Sequence, residues 1–211
     1  MSLWAIIPVK PLWKGKSRLA GVLTLEERRK LNQSLLEHTL AELRDVPEIT
    51  QTLVISGDLN ALALARQYGA RTVQEDGVPA LNSAIKRATL FAMNFATQGV
   101  LILPADIPLL NKQDIQTIIG LGNDPPVAVI VPDRKSDGTN ALLTCPAGLI
   151  DYSYGPGSFK QHCDRAIAAG FHLHILNIDN VSLDLDTPED LELLRKLEVI
   201  RKIDLPLAEE K

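Results

Sequence analysis

The chain has 211 residues, 45% hydrophobic and 23% charged, which predicts one compact domain with a real core and excludes a disordered, collagenous or coiled-coil chain. Lys and Arg number 22 against 26 Asp and Glu, a net charge of -4, so the basic excess of a duplex-binding protein is lacking and no nucleic acid is expected as a partner. Cys145 and Cys163 form no CxxC pair and no zinc spacing, which fits a reduced, cytoplasmic setting, and the apolar run at the start is far shorter than the roughly 20 residues of a membrane span, so no membrane association is expected.

A β-branched run predicts a first strand over residues 3–9, followed by an irregular basic segment, 10–23. Thr24 with Glu27 three residues on reads as a capping box. It opens a helix with Leu31, Leu35, Leu36, Leu40 and Leu43 on one face, which should end before Pro47. A strand over 51–56, a helix over 59–68 closed by Gly69 and a strand over 71–74 come next. After an irregular stretch, 75–80, follow a helix over 81–96, a strand over 100–103, a helix over 112–121 and a strand over 127–131. Residues 133–140 fit neither pattern, 141–144 form a strand, and 145–157 are again irregular. A helix over 158–169 closed by Gly170, a strand over 172–178 and a helix opened by Thr187 and Pro188 complete a domain of residues 1–200, with 201–211 a charged tail.

This alternation is the pattern of an α/β domain, a largely parallel sheet with helices on both faces. Ligands bind such sheets beyond the carboxyl ends of the strands. Each of the four irregular segments is expected to leave such an end or lie beside one.

Lys10, Lys14, Lys16 and Arg18 place four cations within nine residues of a buried strand, a set suited to a polyphosphate. Gly15-Lys16-Ser17 looks like the tail of a P-loop, but Lys10 stands where that motif needs glycine and no helix follows directly. Asp106, held between Pro104 and Pro108 after an apolar strand, is either a Mg²⁺ ligand or the cap of a turn. In Leu183-Asp184-Leu185-Asp186 the two acids are expected on opposite faces. One of them would then share a metal with Asp106, while the other bonds backbone N–H groups near the helix start. Around Thr139 and through Gly155, Gly157 and Ser158, glycines admit a ligand and hydroxyls donate to it. Ser158 also begins a helix whose free N–H groups would favour an anion, which suits a small phosphorylated acid, although a turn and an N-cap explain the same residues. His162 reads either as an anion contact or as a structural histidine. His172 and His174 make a metal half-site without a third ligand.

The segments PVKPLWKGKSRLA, LNSAI, LPADIPLL, DGTNALL, YGPGSFKQH and LDLDTPEDL occur in this order. Together they resemble the guanylyltransferases of deazaflavin coenzyme F-420 biosynthesis, over about residues 3–197. LPADIPLL and DTPEDL recur across nucleotidyltransferases of the glycosyltransferase-A type, whereas DGTNALL with GPGSF is more specific. The resemblance implies a single α/β domain with a mostly parallel, mixed sheet that joins GTP to phosphoenolpyruvate or 2-phospho-L-lactate and releases pyrophosphate. It further implies that Asp106 and Asp184 hold Mg²⁺ and act in catalysis with Lys16. Thr139, Gly155 and Ser158 would bind the acid, and Lys10, Lys16, Arg18 and Asn82 the nucleotide. Gly15 and Tyr154 stand where alanine and phenylalanine are common. A homodimer is left open. An enzyme for another acceptor, such as the molybdenum cofactor, would open with a glycine-rich loop that is absent here, and a non-catalytic nucleotide-binding regulator would have lost an acid or the basic loop.

Overall fold

Residues 2–75 and 80–197 are described by the computed structural model. The expected tail, 201–211, and most of the 75–80 segment lie outside these residues. Seven strands form one sheet, β1 (Leu3–Val9), β2 (Ile49–Ser56), β3 (Arg71–Gln74), β4 (Gly99–Ile102), β5 (Val127–Pro132), β6 (Thr139–Cys145) and β7 (His172–Ile175), in the order β3-β2-β1-β4-β6-β5-β7. All neighbours pair in parallel except β6, which runs against both β4 and β5. The sheet is therefore mostly parallel and mixed, as expected.

The inner strands are continuous apolar runs because helices cover both faces. Alternation along β1 sends Leu3, Ala5 and Ile7 into one core, with α1 (Leu25–Arg44), α2 (Leu59–Gln67) and α4 (Lys112–Gly120). Trp4 and Ile6 enter the other core, against α3 (Leu81–Met93) and α5 (Ser158–Ala168). A third cluster packs Leu19, Leu23, Leu31 and Leu35 against Leu183, Leu185 and the apolar face of α7 (Pro188–Lys196). The Thr24–Glu27 capping box is present at the start of α1, and Thr187 with Asp190 forms another at α7.

Two expectations are corrected. The last strand ends at Ile175 rather than 178, and the chain then turns through a short helix, α6 (Asp179–Ser182), that brings Val181 into the first core. The segment 145–157 does not leave a carboxyl end of the sheet. Because β6 is antiparallel, this segment starts at the amino edge, where the Ala147 N–H donates to the Gln98 carbonyl. It then climbs over α3, with the Tyr152 hydroxyl 2.8 Å from that of Thr89, and reaches the carboxyl edge at α5.

A Cβ on Gly99 would collide with Cys145 Sγ and lie 2.8 Å from both Leu3 Cδ2 and the Thr144 carbonyl oxygen, whereas one on Gly120 would meet nothing within 4 Å. Gly99→Ala should cost about 3 kcal/mol in urea unfolding through overpacking. Gly120→Ala, in right-handed helical backbone, should instead gain about 0.5 kcal/mol.

Candidate active site

Beyond β1 the basic loop is pinned by polar bonds. The Leu12 N–H donates to Asp58 Oδ2 at 2.8 Å, and Asn32 Nδ2 donates to the Leu12 carbonyl at 2.6 Å. The Asn32 amide lies so close to Gly15 that a Cβ there would stand 2.5 Å from Nδ2, so an alanine at that position would have to displace the Asn32 side chain. Lys16 adopts the left-handed conformation, φ 56° and ψ 39°, and its side chain is only 4% exposed. Its ammonium donates to Asp106 Oδ2 at 2.8 Å and to Asp186 Oδ1 at 2.9 Å. Burial alone would depress the Lys16 pKa, but the two carboxylates outweigh it and hold the pKa above the ordinary lysine value. Arg18 stays 73% exposed with Nη1 3.8 Å from Asp186 Oδ2, and Lys10, also exposed, adds positive charge on the same side.

The two acids of the late motif share one side, contrary to expectation. In extended chain, residues two apart lie on the same face. Leu183 and Leu185 fill the third cluster, and this turns both Asp184 and Asp186 toward Asp106. Burial and then the charges of Asp106 and Asp186 push the Asp184 pKa up, and among the described residues its one side-chain partner is the Asn140 amide, at 3.4 Å. Burial would raise Asp186 too, but Lys16 outweighs it and the net shift is downward. Nor does Asp186 serve the helix start with its carboxylate. Asp190 does that, accepting from the Asp186 and Thr187 N–H groups at 3.1 and 2.8 Å while pairing with Arg134.

A second wall forms where β6 begins. Thr139 Oγ1 lies 2.9 Å from His162 Nδ1, and His162 Nε2 accepts the Ser153 N–H at 3.0 Å. The Nε2 acceptor role requires a neutral ring with the proton on Nδ1, so Thr139 accepts from His162 and keeps its own hydrogen to donate. Burial, with Arg165 nearby, takes the His162 pKa down to about 4. The histidine is therefore a brace with both nitrogens occupied. Ser158 is buried with its hydroxyl 3.4 Å from that of Thr139.

Three of the N–H groups expected free at the start of α5 are bonded within the chain. Gly157 N donates to Asp137 Oδ1, Ser158 N to the Gly155 carbonyl and Phe159 N to the Asp137 carbonyl. Gly155 and Gly157 have φ of 132° and 69°, backbone that favours glycine. The Asn82 side chain is bonded to the backbone of the glycine loop. Its Nδ2 donates to the Tyr154 carbonyl and its Oδ1 accepts the Tyr154 N–H, so it fixes the glycine loop.

The structure thus gathers Lys16, Asp106, Asp184 and Asp186, with Arg18 and Lys10 at their edge, and separately Thr139, Ser158 and Gly155. Asn140, which the sequence reading did not single out although it lies in DGTNALL, joins the two groups. It follows Thr139 in β6, and its amide donates to the Val181 carbonyl at 2.9 Å and toward Asp184. His172 and His174 lie exposed on the edge strand β7, where His172 meets Asp124 at 3.7 Å.

Among the described residues no three His, Cys, Asp or Glu side chains are drawn tightly enough together to hold a metal ion, and the Lys16 ammonium stands between Asp106 and Asp186. The donor chemistry still fits Mg²⁺. All three groups are hard carboxylates, and Asp184 is a half-buried acid whose charge no cation among the described residues balances directly.

A sequence model of the family described as "Guanylyl transferase CofC like" matches residues 3–198. The phosphoenolpyruvate guanylyltransferase of Rubrobacter xylanophilus is 38% identical over 194 residues, covering 92% of this chain and 94% of that protein. The 2-phospho-L-lactate guanylyltransferase of Methanocaldococcus vulcanius is 36% identical over 187 residues, 88% and 81% of the two chains. Among solved structures, a nucleotidyl transferase from Methanothermobacter superposes with a TM-score of 0.70 at 14% identity, covering 95% of this chain and 98% of that one. A 4-diphosphocytidyl-2C-methyl-D-erythritol synthase from Anaerococcus prevotii gives 0.64 at 13%, covering 93% and 96%. Identities this low show the fold alone. No helix among the described residues is long and apolar enough to cross a membrane.

The neutral His162 brace has a pH signature. Unfolded, the ring takes up a proton near its ordinary value of 6.5, while in the fold it resists until about 4. Stability should therefore be complete above pH 6.5 and fall as the pH drops through this window, by about 2 kcal/mol between pH 7 and pH 5. In urea unfolding at the two pH values, His162→Gln should be less stable at pH 7 yet lose less on acidification.

Proposed function

The chain belongs to the guanylyl transferase CofC-like family, an enzyme of the nucleotidyltransferase type, and from that premise we propose that it joins GTP to phosphoenolpyruvate or 2-phospho-L-lactate with release of pyrophosphate. This is the step implied by the resemblance to the coenzyme F-420 guanylyltransferases. The observation that carries the reading is the meeting of the buried Lys16 ammonium with Asp106 and Asp186, across from Asp184, at the carboxyl edge of the sheet.

The acceptor's phosphate is already anionic at neutral pH, so one of its oxygens can attack the α-phosphorus of GTP without a general base. The bond from that phosphorus to pyrophosphate breaks, and the barrier lies in bringing anions together. Lys16, Arg18 and Lys10 supply positive charge beside the triphosphate and stabilise the pyrophosphate as it leaves. Asp106 and Asp184 would hold Mg²⁺, with Asp186 turned to the same side, and the ion would supply charge neutralisation for the phosphoryl groups. Thr139, Ser158 and Gly155 form the wall for the acid. The Thr139 hydroxyl, fixed by His162, has a hydrogen to give, and the Gly157 N–H at this helix start is met by the Asp137 carboxylate. Asn82 acts through the Tyr154 backbone, holding the glycine loop in place.

Purified protein with GTP, Mg²⁺ and each acid in turn, with pyrophosphate release followed, tests the reading and separates the two acceptors. No release with either acid would refute it. Asp106→Asn and Asp184→Asn should each lower kcat by more than about a hundredfold. Because Asp186 faces the same side, Asp186→Asn should do likewise while the protein stays folded. An Asp186→Asn variant that turns over near the parent rate would return that residue to a structural role.

A further inference from the structure

A lysine ammonium buried between two carboxylates occupies the position that a bound cation would claim. Lys16 Nζ lies 2.8 Å from Asp106 and 2.9 Å from Asp186, and its side chain is almost wholly out of solvent. Two carboxylates meet this ammonium, and the third, Asp184, feels the negative charges of both and is left with a long amide contact. A dication entering the cluster and the ammonium repel each other at these distances, and a buried ammonium stripped of its carboxylates is costly to leave in place.

The side chain is held by its ion pairs and the backbone by other bonds. Lys16 is one of three non-glycine residues among those described with positive φ, and it caps the turn of Ser17–Leu19 without a side-chain hydrogen bond to it. Its carbonyl accepts the Leu19 N–H at 3.0 Å, so the turn is bonded apart from the two ion pairs. The loop remains anchored at Leu12 through Asp58 and Asn32 when those pairs break. Arg18, mostly exposed and 3.8 Å from Asp186, does not enclose the carboxylates in the same way.

We infer that Lys16 is an exchangeable counter-ion. It neutralises Asp106 and Asp186 until a divalent cation takes them, and the displaced ammonium then needs a new anion, which the triphosphate supplies. Cation entry and nucleotide binding are thereby coupled through one side chain. The inference rests on the proposed metal role of Asp106 and Asp184.

The test uses Mn²⁺ alone, without nucleotide. Electron paramagnetic resonance titration should show Lys16→Met binding Mn²⁺ about tenfold or more tightly than wild type, a factor within the usual range of such couplings. In the wild-type protein, acetylation of Lys16 by an N-hydroxysuccinimide ester, read by mass spectrometry, should be slow without metal and several-fold faster with saturating Mn²⁺. Asp184→Asn should abolish that acceleration. Equal or weaker Mn²⁺ binding by Lys16→Met overturns the inference. So does unchanged Lys16 labelling in wild-type protein with Mn²⁺ bound in an Asp184-dependent manner, and in both cases the metal site itself stands. Mn²⁺ binding indifferent to Asp184 in every variant refutes the metal site and the inference together.

Discussion

The double ion pair of Lys16 is the contact on which the site depends. It ties the loop after β1 to the end of β4 and to the segment before α7, positions 90 and 170 residues away in sequence. Each of the three parts is anchored separately. Asp58 and Asn32 hold the loop, the Leu185 N–H donates to the Asp106 carbonyl at 3.0 Å, and Leu183 and Leu185 are sunk in the third cluster. A buried ammonium is tolerated because two carboxylates meet it, and three clustered carboxylates are tolerated because an ammonium stands among them.

The antiparallel strand β6 does for the second wall what that ion pair does for the first. Because β6 runs against its neighbours, its beginning, not its end, lies at the carboxyl edge of the sheet. Thr139 and Asn140 are adjacent there, and alternation turns them to opposite faces. Thr139 goes to His162 and α5, Asn140 to Val181 and Asp184, so two residues in sequence connect both halves of the site.

The chain also fills the candidate positions with its own charges. Lys16 stands among the acids as a cation, and Asp137 stands at the start of α5 as an anion. For the buried Lys16 ammonium these bonds supply the partners whose absence would be costly. They also explain why His162 and Asn82 are fully engaged. Each holds a loop whose backbone would otherwise lack partners.

Local chemistry determined much by itself. Thr24 with Glu27 and Thr187 with Pro188 start their helices where the residues say they do, and the alternation of strand and helix yields the α/β sheet. The basic loop and Asp106 are also legible, since each sits directly after an apolar strand. What the sequence left undecided are relations between distant segments. The direction of β6 sets which edge the segment 145–157 leaves, and no residue within that segment encodes it. The roles of Asp184, Asp186 and Asp190 depend on Leu183 and Leu185 finding the third cluster, and those of Asn82 and His162 on backbone groups 72 and 9 residues away. The sequence determined the elements and the kinds of group at the sheet's carboxyl edge because propensity, capping and alternation act over a few residues. Only the tertiary structure decided which of those groups carry charge toward a ligand and which spend their hydrogen bonds on the fold, because pairing and burial are settled by chain segments that meet only once the sheet has closed its order.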